Sequence, residues 1–358
     1  MKRKILLLAV TGAACLFLVE VLGRLVVPTP PGPRSLLFSQ PPWAWDPRGF
    51  VRFAPDTAIR TAAVYDDTIE YDVEFATNAD GLVDDRDYAP DPGRRNVAVL
   101  GDSFTAGYHG GDAWVPRLRE APGFDPASDQ LLNFGVSGTG LQNFERILAA
   151  YDPTYSFEDI LILAIRSDFD RPTWKPLTRE GQVFLCETGE SIPDCLRAPA
   201  RILVFDAESS PAEVRRAVAL AHGARDASPW RRFVDTSVLL NGIRALRNRT
   251  GRDLTPGFEA LARMRQRHPT ARIQLLHLPQ KDEVRSGTFA SLRQPTEAAG
   301  VTYLDGAQRC GLTARDFFPA DGHPNASGYE KIRACTADAL GWNRPESTTR
   351  EADPGAGT

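Results

Sequence analysis

A chain of 358 residues, 42% hydrophobic and 25% charged, can bury a large core, and one domain of about 250 residues with flanking segments is expected. Lys and Arg number 42 against 46 Asp and Glu, a net charge of −4, and no basic block follows the first four residues, so a nucleic-acid partner is not indicated. The five cysteines show no zinc-site spacing with His, and neither a metal nor another cofactor is expected.

Met1-Lys2-Arg3-Lys4 opens the chain, and Ile5 to Val19 carries no charge. Glu20 and Arg24 follow four apart, able to pair on a helix. No small-x-small cleavage site follows the apolar run. Cys15 in Gly12-Ala13-Ala14-Cys15 approaches a lipoprotein box, but Gly12 stands where an aliphatic residue is needed. Residues 1–27 therefore read as an uncleaved N-terminal transmembrane helix, positive side inside and the body exported to the periplasm or cell surface. A cleaved signal is the alternative.

Pro28 to Trp45 is Pro-rich and reads as an extended, loosely held juxtamembrane stretch. Gly49 to Tyr88 alternates, as in Thr68-Ile69-Glu70-Tyr71-Asp72-Val73-Glu74-Phe75, and predicts a small antiparallel unit completing an N-terminal segment over 28–95. Apolar runs at Asn96–Leu100, Leu131–Phe134, Ile160–Ala164, Ile273–Leu278 and Val301–Leu304 then alternate with helical patterns. They predict an α/β domain over 96–342: a three-layer, flavodoxin-like parallel sheet of about five strands. A helical insertion covers about 169–256, with amphipathic stretches Pro211–His222 and Pro229–Arg247. A lid over the site and a surface excursion are both open for it. Residues 343–358 are polar with Gly and Pro and read as a disordered tail.

Cys186 and Cys195 flank a short Gly/Pro loop and form the favoured disulfide, which leaves Cys310 with Cys335. Four reduced, buried cysteines are the alternative. Paired, they suit an oxidising compartment.

The strand Asn96–Leu100 ends in Gly101-Asp102-Ser103-Phe104. In an open α/β sheet ligands sit beyond the carboxyl ends of the strands, so Ser103 faces a crevice. A serine nucleophile needs a base, usually His, and a group to orient it. Of the five histidines, His222 and His268 fall near helix ends, His277 in a strand, and His109 on what reads as a flexible pocket rim. His323 lies in the turn-rich Phe317-Phe318-Pro319-Ala320-Asp321-Gly322-His323-Pro324-Asn325, two residues after Asp321 and before a helix that Asn325 can cap.

Gly101-Asp102-Ser103-Phe104, Asn133-Phe134-Gly135-Val136-Ser137-Gly138 and Asp321-Gly322-His323-Pro324-Asn325 stand in the order of three blocks of the SGNH/GDSL hydrolase family, which the chain resembles from about Ala76 to Leu340. The resemblance implies Ser103 as nucleophile and first oxyanion donor, Gly135 as second oxyanion donor, His323 as base and Asp321 as its orienter, with Asp305 and Asp316 as fallbacks. Thr77 to Tyr88 resembles an "N-x-x-G-x-R-D" stretch of membrane-anchored members, with Val83 where Arg often stands. Two departures are evident. Ser167 in Ile165-Arg166-Ser167-Asp168 occupies the place of the third block's oxyanion Asn, and Asp321-x-His323 replaces Asp-x-x-His. Either Ser167 donates, or Arg166 supplies a charged donor, or the enzyme is slow. Asp168 itself reads as a loop cap, and Arg166 and Asp102 are candidates to contact substrate.

The implied activity is ester hydrolysis through Ser103, His323 and Asp321. The substrates are a small-molecule ester or an O-acylated envelope glycan or lipid, and the membrane is reached through the N-terminal helix. An SGNH O-acyltransferase and an inactive glycan- or partner-binding module of the same fold are the alternatives.

Overall fold

The computed structural model of the chain describes residues 2–26, 34–65, 67–179, 182–196, 202–223, 237–240, 242–243 and 253–343. Helix α1 spans Lys2–Val26. Strands β1 (Arg34–Phe38), β2 (Trp43–Trp45), β3 (Val51–Phe53), β4 (Ala58–Tyr65) and β5 (Thr68–Ala76) follow. The α/β part runs β6 (Arg95–Gly101), α2 (Ser103–Ala106), β7 (Asp129–Gly135), α3 (Leu141–Tyr151) and β8 (Phe157–Ala164). The insertion contributes β9 (Trp174–Arg179), β10 (Gln182–Glu187), α4 (Ile192–Cys195), β11 (Ile202–Val204) and α5 (Pro211–Gly223). Then come α6 (Thr255–Arg267), β12 (Arg272–His277), α7 (Lys281–Ser286), α8 (Arg293–Ala298), β13 (Thr302–Asp305), α9 (Gly306–Cys310) and α10 (Ala326–Leu340).

The five expected strands form one sheet in the order β13-β12-β8-β6-β7, every pairing parallel. With crossover helices on both faces this is the doubly wound, flavodoxin-like order, and its direction reverses between β6 and β8. Alternation along β6 builds the two faces. Ala98 and Leu100 join α3 and α6 in one core through Phe144, Ile147, Leu261 and Met264. Val97 and Val99 join α10 in the other through Tyr329, Ile332 and Leu340. The helices after β6 and β8 are short or absent, so the carboxyl ends of these two strands open onto loops.

Three differences from the sequence reading stand out. The stretch before Trp45 is not loosely held: β1 pairs antiparallel with β4, which pairs with β5, and Leu37 and Phe38 are fully buried. The apolar run Leu36-Leu37-Phe38 has side chains for both faces of a sheet, which outweighs the prolines before it. The insertion is not purely helical either. It holds the β9–β10 hairpin and β11, which pairs parallel with β1. Helix α5 packs Val214 and Val218 on Leu37, Ala62 and Val64 of this small sheet, and so covers its outer face. Most of Pro229–Arg247 lies outside the described residues, as do residues 27–33 and 344–358.

The third difference concerns the expected transmembrane helix. Helix α1 is formed, but among the described residues no helix is long and apolar enough to cross a membrane. Glu20 explains part of the difference. It is buried and turned toward the body, accepting hydrogen bonds from Ser237 Oγ at 2.9 Å and from the Val238 and Leu239 amides at 3.1 Å each. A carboxylate held this way is docked on protein rather than facing lipid. Leu16, Phe17, Leu22 and Leu25 of the same helix are exposed.

Both expected disulfides are present, Cys186 with Cys195 and Cys310 with Cys335, and Cys15 is free and exposed. The second ties the end of α9 to α10 across 25 residues that include the His323 loop. Replacing Cys310 and Cys335 by Ala is expected to lower stability by ~3 kcal/mol, read as a lower urea midpoint, through the extra freedom of the unfolded chain.

Candidate active site

Gly101 ends β6 because nothing larger fits: a Cβ there would lie 2.7 Å from Leu163 O and collide with the Thr105 side chain. Asp102 then caps α2, its Oδ1 accepting from the Phe104 amide at 2.9 Å. Ser103 is thereby the first residue of a single helical turn, which stops at Gly107 in the left-handed region (φ 71°). This places its hydroxyl at the strand's carboxyl edge, where the sheet order reverses.

His323 comes to this point from the loop before α10. Phe317 and Pro324 form an isolated antiparallel bridge, the Phe318 amide donates to His323 O at 3.0 Å, and Asn325 caps α10 through the Gly328 amide. The loop so closed holds Asp321 and His323 on one side. His323 Nε2 lies 2.8 Å from Ser103 Oγ. Asp321 Oδ1 meets His323 Nδ1 and also takes the His323 amide at 3.0 Å. Asp321 is fully buried. One oxygen serving both ring and amide is what the two-residue spacing allows.

The loop is fixed from outside by two groups that the sequence reading did not single out. Glu70 of β5 accepts the Ala320 and Asp321 amides, each at 2.5 Å. Lys281 of α7 donates to Phe318 O at 2.6 Å and to Pro319 O. Burial pushes the Lys281 amine below its usual value, with Glu70 opposing the shift. The sequence signal for Glu70 was only its place on an alternating strand, which says nothing about what it meets 250 residues later.

Beyond β8 the chain makes a tight turn over Arg166–Asp168. Asp168 caps it, its Oδ2 accepting from the Ile165 amide at 2.9 Å. Arg171, also overlooked in the sequence, gathers the neighbourhood. Its Nη1 meets Asp168 Oδ1 at 2.7 Å, Asp102 Oδ2 at 3.0 Å and Thr139 O at 2.8 Å, and its Nη2 meets Ser167 Oγ at 3.2 Å. Burial, then the Asp102 charge, push Asp168 well above the carboxylate range, and Arg171 opposes them. An Arg three residues past a turn-capping Asp is a weak signal that could have been read. Asp102, expected as a candidate substrate contact, is 1% exposed, with its oxygens on the Phe104 amide of α2 and on Arg171. Arg166 is half-buried at the start of the turn. Burial, then the Arg166 charge, push His277 down to about 3.

Gly135 does not stand as an expected oxyanion donor. Its amide donates to Asn133 Oδ1 at 3.0 Å, and a Cβ there would press on the backbone of Thr105 and Ala106. Gly135 is the close-packing residue under α2. Gly138, three residues on, adopts φ 79°, and its amide makes no hydrogen bond with another described residue. Its carbonyl accepts from Trp174 Nε1 at 3.0 Å, which fixes the following peptide, Gly138–Thr139.

The fallback acids are elsewhere. Asp305 caps α9, and Asp316 pairs with Lys331 and Ser327. His268 lies against Asp152, and His277 is fully buried with Nδ1 3.1 Å from Tyr303 Oη. His109 is not a flexible rim residue but is buried beside His323. Among the described residues no group of three or more His, Cys, Asp or Glu side chains could hold a metal ion.

No family model and no curated protein matches the chain. Solved structures similar to it include a lipase/acylhydrolase from Enterococcus faecalis (15% identity, TM-score 0.38, 70% of this chain and 98% of that one). A lipolytic protein of the G-D-S-L family from Veillonella parvula is similar at 14% identity and TM-score 0.35, over 69% of this chain and 99% of that one. An acetylxylan esterase from Geobacillus stearothermophilus is similar at 11% identity and TM-score 0.33, over 70% and 96%.

Proposed function

We propose that the chain is a serine ester hydrolase of the SGNH type, with Ser103 as nucleophile, His323 as general base and Asp321 as its orienter. The observation that carries this reading is the unbroken relay from Asp321 Oδ1 through both ring nitrogens of His323 to Ser103 Oγ, with 2.8 Å between Nε2 and Oγ. Ser103 Oγ bonds to the ester carbonyl carbon while its proton passes to His323 Nε2. The same proton then goes to the leaving alcohol, and Asp321 stabilises the imidazolium between the two events. Water resolves the acyl-enzyme by the same base.

The oxyanion needs donors where charge develops. The amides of Ser103 and Gly138 are the donors in this reading, Gly138 taking the role expected of Gly135. Ser167 is the third. Its oxygen accepts from Arg171, which leaves its own proton to donate.

The two disulfides support an oxidising compartment, and export is part of the proposal. So is a membrane contact through the exposed apolar side chains of α1. O-acylated glycan or lipid esters of the envelope are the proposed substrates.

The test is turnover of p-nitrophenyl acetate and labelling of Ser103 by a fluorophosphonate. Both are expected for the wild type, and neither for Ser103→Ala. A wild-type protein that is folded, unlabelled and inactive would favour a binding module instead. Within the same assay, Glu70→Ala is expected to lower kcat about tenfold with KM little changed. It frees the peptide that carries Asp321, and small displacements of a reacting group are costly. Glu70→Gln, which can still accept one amide, is expected to fall between the two.

A further inference from the structure

Four aromatic rings form one column that ends on His323. Phe75 of β5 stacks on Tyr108 with centroids 4.0 Å apart and planes 11° apart. Tyr108 stacks on His109 at 4.2 Å and 24°, and His109 on His323 at 3.9 Å and 10°. His109 is 3% exposed, its Nδ1 lies 3.2 Å from Tyr329 Oη of α10, and the Tyr71 ring of β5 meets it edge-on at 5.2 Å. Gly110 beside it leaves no room for a Cβ against Tyr329, so the turn is pressed onto α10.

We propose that His109 is a positioning residue, a neutral imidazole that fixes the ring plane of His323 and whose protonation turns the site off. The inference rests on reading Ser103 and His323 as nucleophile and base. The hydrogen bonds of His323 to Asp321 and Ser103 lie at the two ring nitrogens, and they leave the ring free to tilt about the line joining them. The terminal torsion of a histidine is broad, so nothing intrinsic stops that tilt. A flat ring packed on one face does. The tilt matters because the proton taken from Ser103 must next reach the leaving oxygen, which lies off the Ser103 direction.

When His323 becomes imidazolium, the π face of a neutral His109 attracts it. A protonated His109 would instead set a second cation face to face with it, and the charged form of His323 would be disfavoured. The groups facing His109 include the Tyr329 hydroxyl from α10, the Tyr71 ring from β5, Tyr108 on its own turn, and His323. Further out stand Asp321 at the far edge of His323, Glu70 on the loop amides, and Asp102 held by Arg171. Burial holds the Tyr329 phenol far above its usual value, so it faces His109 uncharged.

The test compares wild type, His109→Phe and His109→Ala in p-nitrophenyl acetate turnover between about pH 5 and pH 8, the range in which histidines titrate. His109→Ala is expected to lose about tenfold in kcat with KM little changed, as a positioning defect does. His109→Phe, which keeps a flat ring, is expected to recover most of that loss at the alkaline end. It should also show an acid limb with one ionisation fewer than the wild type. If His109→Ala fails to fold, the acid limb and kcat of the Phe variant decide alone. An unchanged kcat in the Ala variant, or an acid limb in the Phe variant identical to wild type, overturns the inference. Either result with fluorophosphonate labelling of Ser103 intact leaves the triad reading standing. Loss of labelling in the wild type would remove both.

Discussion

Ser103→Ala is expected to lower kcat for ester hydrolysis by about 10⁴-fold or more, leaving only what binding and the oxyanion donors supply. The size follows from the relay. Without Oγ, His323 Nε2 has no proton to take, and Asp321 orients an imidazole with nothing to activate. Ser103→Ala/His323→Ala is therefore expected to be about as slow as either single variant, because the three groups act as a unit. Steady-state rates of the two single variants and the double variant check this. Losses that multiply in the double variant would show that Ser103 and His323 act separately. Circular dichroism serves as the control that the fold persists.

Arg171→Met is expected to destabilise the fold by about 3–5 kcal/mol near neutral pH, because it leaves two buried carboxylates without their shared cation. The Asp102 and Asp168 side chains are 1% and 0% exposed, so the two carboxylates are little screened by solvent, while Arg171 keeps 28% of its side chain exposed. The loss should depend on pH, and the sign is determined. Burial and Asp102 raise Asp168 above the ordinary aspartate value of about 3.9, so between that and the raised value the native state holds a proton that the unfolded chain has released. Stability then falls as pH rises through that window. Removing Arg171 takes away the larger of the two influences that oppose the shift, the other being the Ile165 amide. The window widens upward, and the variant should recover part of its stability on acidification. Asp168→Asn added to Arg171→Met should also restore part of it at neutral pH. Urea unfolding at several pH values measures all of this. A loss under about 1 kcal/mol, flat with pH, would mean the carboxylates are solvated or protonated already.

The β6 strand, the Gly-Asp-Ser-Phe turn and the Asp-x-His loop were readable because each is a local pattern: an apolar β-branched run, a glycine at a strand end, a turn-rich loop with a helix cap. The small sheet was only half readable, since Arg34–Phe38 is hidden behind prolines and its partner β11 is supplied by the insertion. Gly135 and Gly138 show the limit within a single loop. Both are glycines at or after the end of an apolar strand, and a sequence does not say that the Asn133 side chain occupies one amide while the other has no partner among the described residues.

Sequence alone determined the chemistry on offer here: a serine, a histidine and an aspartate at strand and loop ends, four cysteines that pair, and the period of a buried parallel sheet. Those follow from local rules of pattern and spacing, which act over a few residues. Tertiary structure decided which groups serve that chemistry from a distance: Glu70 on the Asp321 peptide, Arg171 across three segments, and His109 flat on His323. Contacts between residues some 70 to 250 positions apart arise only when the chain closes on itself. Their energies depend on packing and desolvation at the meeting point, which no local pattern encodes.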